Sequence, residues 1–137
     1  NTILLGVSDS SATLTNWCGS DVHGWGYYDG GAIYHSGSAI QTGLATYTTG
    51  DVIGIAYDAV AGTVQFYKNN VAVGTAVTVS GTLFACASGS GGTQTITANF
   101  GASTLTYAPP TGFNAGLYTG TLSSPTSIVG LVRALWL

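Results

Sequence analysis

Apolar and polar positions alternate along most of this chain with a period of two. No sustained helical period of 3.6 occurs before the last ten residues. Strand-like runs follow one another, each bounded by Gly, Ser or Asn turns. The first is "ILLGVS", Ile3 to Ser8. Next come "GWGYYD", Gly24 to Asp29, and "AIYHS", Ala32 to Ser36, separated by a Gly-Gly pair suited to a tight hairpin. Asp51 to Asp58 carries Ile53, Ile55 and Tyr57 on one face and Val52, Gly54 and Ala56 on the other. Both faces are apolar, which predicts a central strand. Thr63 to Lys68 alternates Val64 and Phe66 against Gln65 and Tyr67, and Asn69-Asn70, which tolerates positive φ, ends it. "VAVGTAV" and "LFACAS" read as further strands, and "SGSGG", Ser88 to Gly92, as a plain loop. "TQTITANF", with Gln94, Ile96, Ala98 and Phe100 on one face, and "STLTYA" complete the series. Pro109 and Pro110 then break the pattern. Short strands at close spacing predict an all-β antiparallel sandwich or barrel over 1–108. An irregular, Pro-containing tail is expected over 109–137.

Composition narrows the class. Only 5% of the 137 residues are charged, against roughly 25% in an average soluble protein. There is no Glu, five Asp, two basic residues and a net charge of -3, while 45% of residues are hydrophobic. Apolar content of that order argues for a folded core rather than disorder. Two basic residues cannot neutralise a phosphate backbone, which excludes nucleic-acid partners. No run of about 18 apolar residues is present, so no membrane-spanning helix is expected. No secretory signal is visible, and a start at Asn1 points to processing or to a piece of a longer product. A Thr-, Ser-, Asn- and Gly-rich surface has little charge to oppose association, which suits a subunit of an assembly or an extracellular module. Cys18 and Cys86 leave a bridge open, although Cys86 in "LFACAS" reads as a small buried hydrophobe.

The ordered set of motifs resembles a known family. "GDVIGIAYDAVAGTVQFYKNN" followed by "VAVGTAV" resembles the core of the SPRY domain. "ILLGVSDSS", "GWGYYDGG" and "TITANFG" resemble its earlier strand, its aromatic segment and its closing strand. "NFGASTLTYAPPTGFNAG" is similar to the end of SPRY-like domains in structural proteins of tailed phages. The resemblance covers about Ile3 to Gly101. It implies a bent antiparallel β-sandwich of jelly-roll type and a non-enzymatic binding module that uses loops to hold protein partners. The family's first strands are absent before "ILLGVSD". We therefore expect an open sheet edge, covered by a neighbouring subunit or by the chain's own tail.

Catalytic chemistry finds little support. Glycoside hydrolysis needs two carboxylates about 5–10 Å apart. Asp51 and Asp58, on one strand, would be separated by roughly 23 Å and face opposite ways. They read instead as strand-end carboxylates that hold turns through backbone N–H groups. Asp21, His23, Asp29 and His35 lie close in sequence, but nothing fixes them as a convergent ligand set. No metal and no cofactor is implied. "SGSGG" lacks the Lys of a phosphate loop, and no nucleophile elbow occurs.

Aromatics concentrate early, with Trp17, Trp25, Tyr27, Tyr28, Tyr34 and the neighbouring His35. Aromatics with polar tips recur at interfaces and on sugar-binding platforms. Trp25, Tyr27, Tyr28, Tyr34 and His35 are the candidate binding residues. The competing reading buries Trp25 or Tyr27 in the core of a small sandwich. In the tail, Ile128, Leu131, Val132 and Leu135 form one stripe if helical, and Ile128, Gly130, Val132, Ala134 and Trp136 share a face if extended; Ile128, Leu131, Val132, Leu135 and Trp136 are the candidate contact residues. An intersubunit contact is the preferred expectation there, and a final strand packed on its own domain is the alternative. The expected function is a virion structural, decoration or fibre component of a bacteriophage. Its partners would be other virion proteins or copies of itself. An adhesin module binding a host-surface glycan or protein is the alternative.

Overall fold

A computed structural model describes residues 1–113, 115–116 and, as backbone, 132–136. Among these residues there are nine strands and no helix: β1 (Thr2–Ser8), β2 (Gly24–Tyr28), β3 (Ala32–His35), β4 (Ser38–Gln41), β5 (Ile53–Asp58), β6 (Thr63–Lys68), β7 (Val71–Thr78), β8 (Phe84–Ser90) and β9 (Val132–Trp136). They form two antiparallel sheets, as expected for the all-β class. The chain divides into two compact units. One holds Asn1–Asp51 with Ser80–Ile96, and the other holds Val52–Val79 with Thr97–Leu137.

The first unit contains the five-stranded sheet, in the order β4-β3-β2-β1-β8. Its register aligns Leu5, Tyr27 and Ile33 in one cross-strand row and Val7, Trp25 and His35 in the next. Leu5, Val7, Trp25, Tyr27 and Ile33 are all buried, which makes this face the unit's apolar side. Contiguous cross-strand rows of this kind are how an antiparallel sheet gains stability. The β2–β3 turn contains the expected Gly pair, with Gly31 N–H donating to the Tyr28 carbonyl at 3.0 Å. The segment between β4 and β5 is pinned by its one aromatic. The Tyr47 hydroxyl lies 2.9 Å from the carbonyls of both Ile3 and Tyr27, and the Tyr27 hydroxyl donates to the Ala45 carbonyl of that segment.

The second unit contains β7-β6-β5-β9. Ile55, Phe66 and Val73 align across three strands, and Val64 faces Val77. All five are buried, Phe66 and Val64 completely. Gly54 and Ala56 on the alternate face of β5 are buried too, as its two apolar faces predict. Asn69 and Asn70 take positive φ, 47° and 68°, in the β6–β7 turn. The Asn69 side chain accepts the Val52 N–H at 2.8 Å and the Asn69 N–H donates to the Val52 carbonyl at 2.8 Å, adding one rung beyond the β5–β6 ladder. The register slips between Val64 and Phe66, and there the Gln65 amide donates to the Phe66 and Val73 carbonyls, both at 2.9 Å.

Several expectations need correction. "TQTITANF" and "STLTYA" do not form extended strands. Alternation supplies a face, but among the described residues these segments gain no neighbouring strand. The Gln94 amide donates to the carbonyls of Ser90 and Thr2, at 2.7 and 3.2 Å. Asn99 closes its own turn onto Ser103, Thr104 and Gly101. Conversely, Ser88–Ser90 of the expected "SGSGG" loop belong to β8, and β4 was not foreseen. Cys86 is only half-buried, and Cys18 is the buried thiol. Of the tail residues, Ile128 and Leu131 lie outside the described residues. Val132, Leu135 and Trp136 belong to β9, whose backbone pairs with β5 from Gly54↔Trp136 to Asp58↔Val132. On that side of β5 the chain's own tail supplies the neighbouring strand.

Candidate functional site

The first unit's sheet has a second face, and its composition is unusual. Thr2, Leu4 and Gly6 of β1 align there with Tyr28 and Gly26 of β2, Tyr34 of β3, and Ser90, Ser88 and Cys86 of β8. The glycines leave a bare trough across β1 and β2. The loop from Asp9 to His23 lies in it. A Cβ at Gly26 would run into the Cys18 carbonyl, and one at Gly6 would run into the Trp25 carbonyl and sit 3.0 Å from the Cys18 sulfur. Close approach of one backbone to another is a recognised use of glycine inside a strand.

Hydrogen bonds hold this loop. Asp9 N–H donates to the His23 carbonyl at 2.9 Å, closing its ends. Asp21 accepts the N–H groups of Thr13 and His23, both at 2.9 Å. Cys18 N–H donates to Ser88 Oγ at 3.0 Å, and the N–H groups of Ser36 and Gly37 donate to the Asp21 and Gly19 carbonyls. His23 Nδ1 lies 2.9 Å from Asp9 Oδ2. That contact, with the Ser11 N–H, holds the Asp9 carboxyl below the usual carboxylate range. Backbone donors, Thr13 first, do the same for Asp21.

With the loop seated, a groove of about 710 Å³ opens beside it. Trp17 from the loop and Tyr28 and Tyr34 from the sheet form its aromatic walls. Trp17 meets Tyr34 edge to face with ring centroids 5.2 Å apart, and Tyr28 meets Tyr34 at 6.0 Å. Leu4 forms part of the floor, and Thr2, Thr15, Asn16, Ser88 and Ser90 add hydroxyl and amide groups. No Asp, Glu, Lys, Arg or His lines it.

The five candidate aromatic and histidine positions are therefore divided. Tyr28 and Tyr34 lie in the groove. Trp25 and Tyr27 point to the opposite face and are buried, at 6% and 0% exposure, so they are core residues rather than a binding platform. Strand alternation is the cause: neighbours along "WGYY" must face opposite ways. His35 stacks flat on Trp25, with centroids 4.6 Å apart, and its Nδ1 donates to the Gly24 carbonyl at 2.9 Å. Trp17, which sequence reasoning did not select, completes the groove. The signal that could have found it is Gly6 with Gly-x-Gly at 24–26, which marks a sheet face with room for another segment.

The carboxylates do not converge. Each of the five Asp residues accepts at least one backbone N–H: Asp9 from Ser11, Asp21 from Thr13 and His23, Asp29 from Ile3, Asp51 from Thr48, and Asp58 from Val60 and Ala61. Among the described residues, no group of three or more His, Cys or Asp side chains is placed to hold a metal ion. Cys18 and Cys86 are free thiols, and the Cys18 thiol donates to the Trp25 carbonyl at 3.6 Å. Interaction with Cys86, reinforced by burial, pushes the Cys18 thiol up, while the interaction with Cys18 holds Cys86 below the usual thiol range.

Comparison with known families matches residues 2–103 to the SPRY domain. A search of curated proteins finds no match. No helix among the described residues is long and apolar enough to cross a membrane.

Proposed function

Starting from a chain that belongs to the SPRY domain family, we propose that it is a non-enzymatic binding module of a bacteriophage particle, held there by contacts with other virion proteins or with copies of itself. SPRY domains are in general protein-interaction modules. The observation that carries the reading is the state of the charges. All five acids are engaged by backbone N–H groups, and only two basic residues exist. What remains for a partner is mostly hydroxyl, amide, glycine and apolar surface, including Leu14 at 95% and Val71 at 68% exposure. Burying such a surface in an assembly desolvates few ions, which is the costly part of many interfaces. The resemblance of the Asn-Phe-Gly to Gly-Phe segment to the end of SPRY-like domains in tailed-phage structural proteins supports the virion setting.

Gradient-purified particles of the encoding phage test this. An antibody against the chain should label intact particles at a fixed location, and the protein should be present in constant ratio to the major capsid protein. Particles free of the chain, with all of it left soluble, would refute the virion reading.

A further inference from the structure

We propose that the groove between the Asp9–His23 loop and the β1–β2–β3–β8 face is a binding site for a neutral saccharide. This goes beyond the subunit contacts above and does not depend on them. A sugar ring presents two chemistries: a patch of C–H groups on its face and hydroxyls around its rim. The groove matches both. Trp17, Tyr28 and Tyr34 are each only partly exposed and stand edge to face, so their ring faces point in different directions along it. Such rings offer large apolar area at little cost in conformational freedom. Thr2, Thr15, Asn16, Ser88 and Ser90 each carry a group that both donates and accepts, which is what a sugar hydroxyl requires. Ser88 Oγ already accepts the Cys18 N–H, which orients its own proton for donation.

The missing chemistry is as informative. Without a cationic lining residue, a carboxylated, sulfated or phosphorylated ligand would lose its hydration with no compensating pair. A peptide anchored by one large apolar side chain needs a deep socket. Here the only buried aliphatic floor residue is Leu4, the other lining leucine, Leu14, is exposed and walls no socket, and the β8 contribution is Ala87, Ser88, Gly89 and Ser90. The volume of about 710 Å³ falls in the range of small-molecule clefts, roughly 300–1,000 Å³. The site is also built in advance, because the loop that supplies Trp17 is tied at both ends and at Cys18.

The test is a glycan array carrying neutral hexose and N-acetylhexosamine oligosaccharides beside sialylated and sulfated ones, probed with the purified chain. Hits are then titrated by tryptophan fluorescence. The expected result is retention of one neutral class. Trp17→Ala should weaken it at least about 30-fold, as for a central aromatic contact. Thr15→Ala, on an exposed loop position and neutral for folding, should weaken it by roughly 3- to 10-fold. Circular dichroism and melting temperature of the Thr15 variant should match the parent. Four outcomes overturn the proposal: no neutral glycan bound, binding confined to anionic glycans, neutral binding unchanged by both variants, or a peptide from a displayed library occupying the groove in place of any sugar. Incorporation into particles is measured separately, so failure here leaves the virion reading standing.

Discussion

Replacing Gly26 with alanine probes the trough on which the groove depends. Gly26 carries no positive φ, so its backbone accepts an alanine without strain. The whole penalty is therefore steric. The new Cβ would overlap the Cys18 carbonyl oxygen, lie 2.9 Å from its carbon and approach Leu4 Cδ2 to 3.3 Å. The first two contacts are with backbone, which cannot rotate away, so the loop must lift. Overpacking of this kind costs about 1–3 kcal/mol. Loss of the Cys18 N–H to Ser88 Oγ bond adds about 1 kcal/mol. The expected destabilisation is thus about 2–4 kcal/mol, out of a total of roughly 5–15 for a domain of ordinary stability. At this chain length it should lower the melting temperature by roughly 10 °C. Urea unfolding followed by circular dichroism measures the free energy, and hydrogen exchange at the Cys18 amide reports the loop. A variant within 0.5 kcal/mol of the parent, with Cys18 still protected, would show that the loop does not rest on the sheet at Gly26.

Other expectations follow from the same contacts. Trp25→Ala empties a core position and should cost about 3–5 kcal/mol, whereas Trp17→Ala should leave the melting temperature nearly unchanged; equal losses in thermal unfolding would contradict the assignment of opposite faces. In the native protein one thiol, Cys86, should react promptly with a maleimide, and Cys18 only on unfolding; mass spectrometry of labelled peptides would expose the reverse order. The carboxyls of Asp9 and Asp21 are held low in the fold, so their contribution is complete above the unfolded value of about 4 and fades as pH falls through the folded values. Asp21→Asn should flatten that acid limb. Burial pushes the Tyr27 phenol up to about 12, so stability should hold to about pH 10 and decline as pH rises from there toward 12. A stability curve that stays flat up to pH 12 would refute burial of Tyr27.

The strands that the sequence predicts well are those whose alternation is reinforced by an unambiguous turn. β5 and β6 are legible because Ile53, Ile55, Val64 and Phe66 keep a strict period and Asn69-Asn70 ends the run. "TQTITANF" has the same period but is hydroxyl- and amide-rich, and its Gln94 and Asn99 side chains bond carbonyls of Ser90, Thr2 and Ser103 while its backbone joins no extended ladder. β4 has the opposite difficulty. "SAIQ" has one large apolar residue, Ile40, and that residue is 46% exposed, so no inward face announces it. The groove was half legible. Tyr28 and Tyr34 are visible as aromatics, but deciding that Trp25 and Tyr27 belong to the other face requires knowing which side of β2 meets the core. Trp17 joins them only through a loop path set by the absence of side chains at Gly6 and Gly26, information carried by what the sequence omits.

The scarcity of charge, five Asp and two basic residues in 137, also shapes how this surface meets other molecules. With so few charges there is little long-range field to draw a partner in, and little for salt to screen. Encounter should proceed at the unsteered rate of about 10⁵–10⁶ M⁻¹s⁻¹, and capture should vary little with ionic strength. A surface built this way gives up speed of encounter and gains indifference to its medium. Its grip would be much the same in dilute fresh water as in brine.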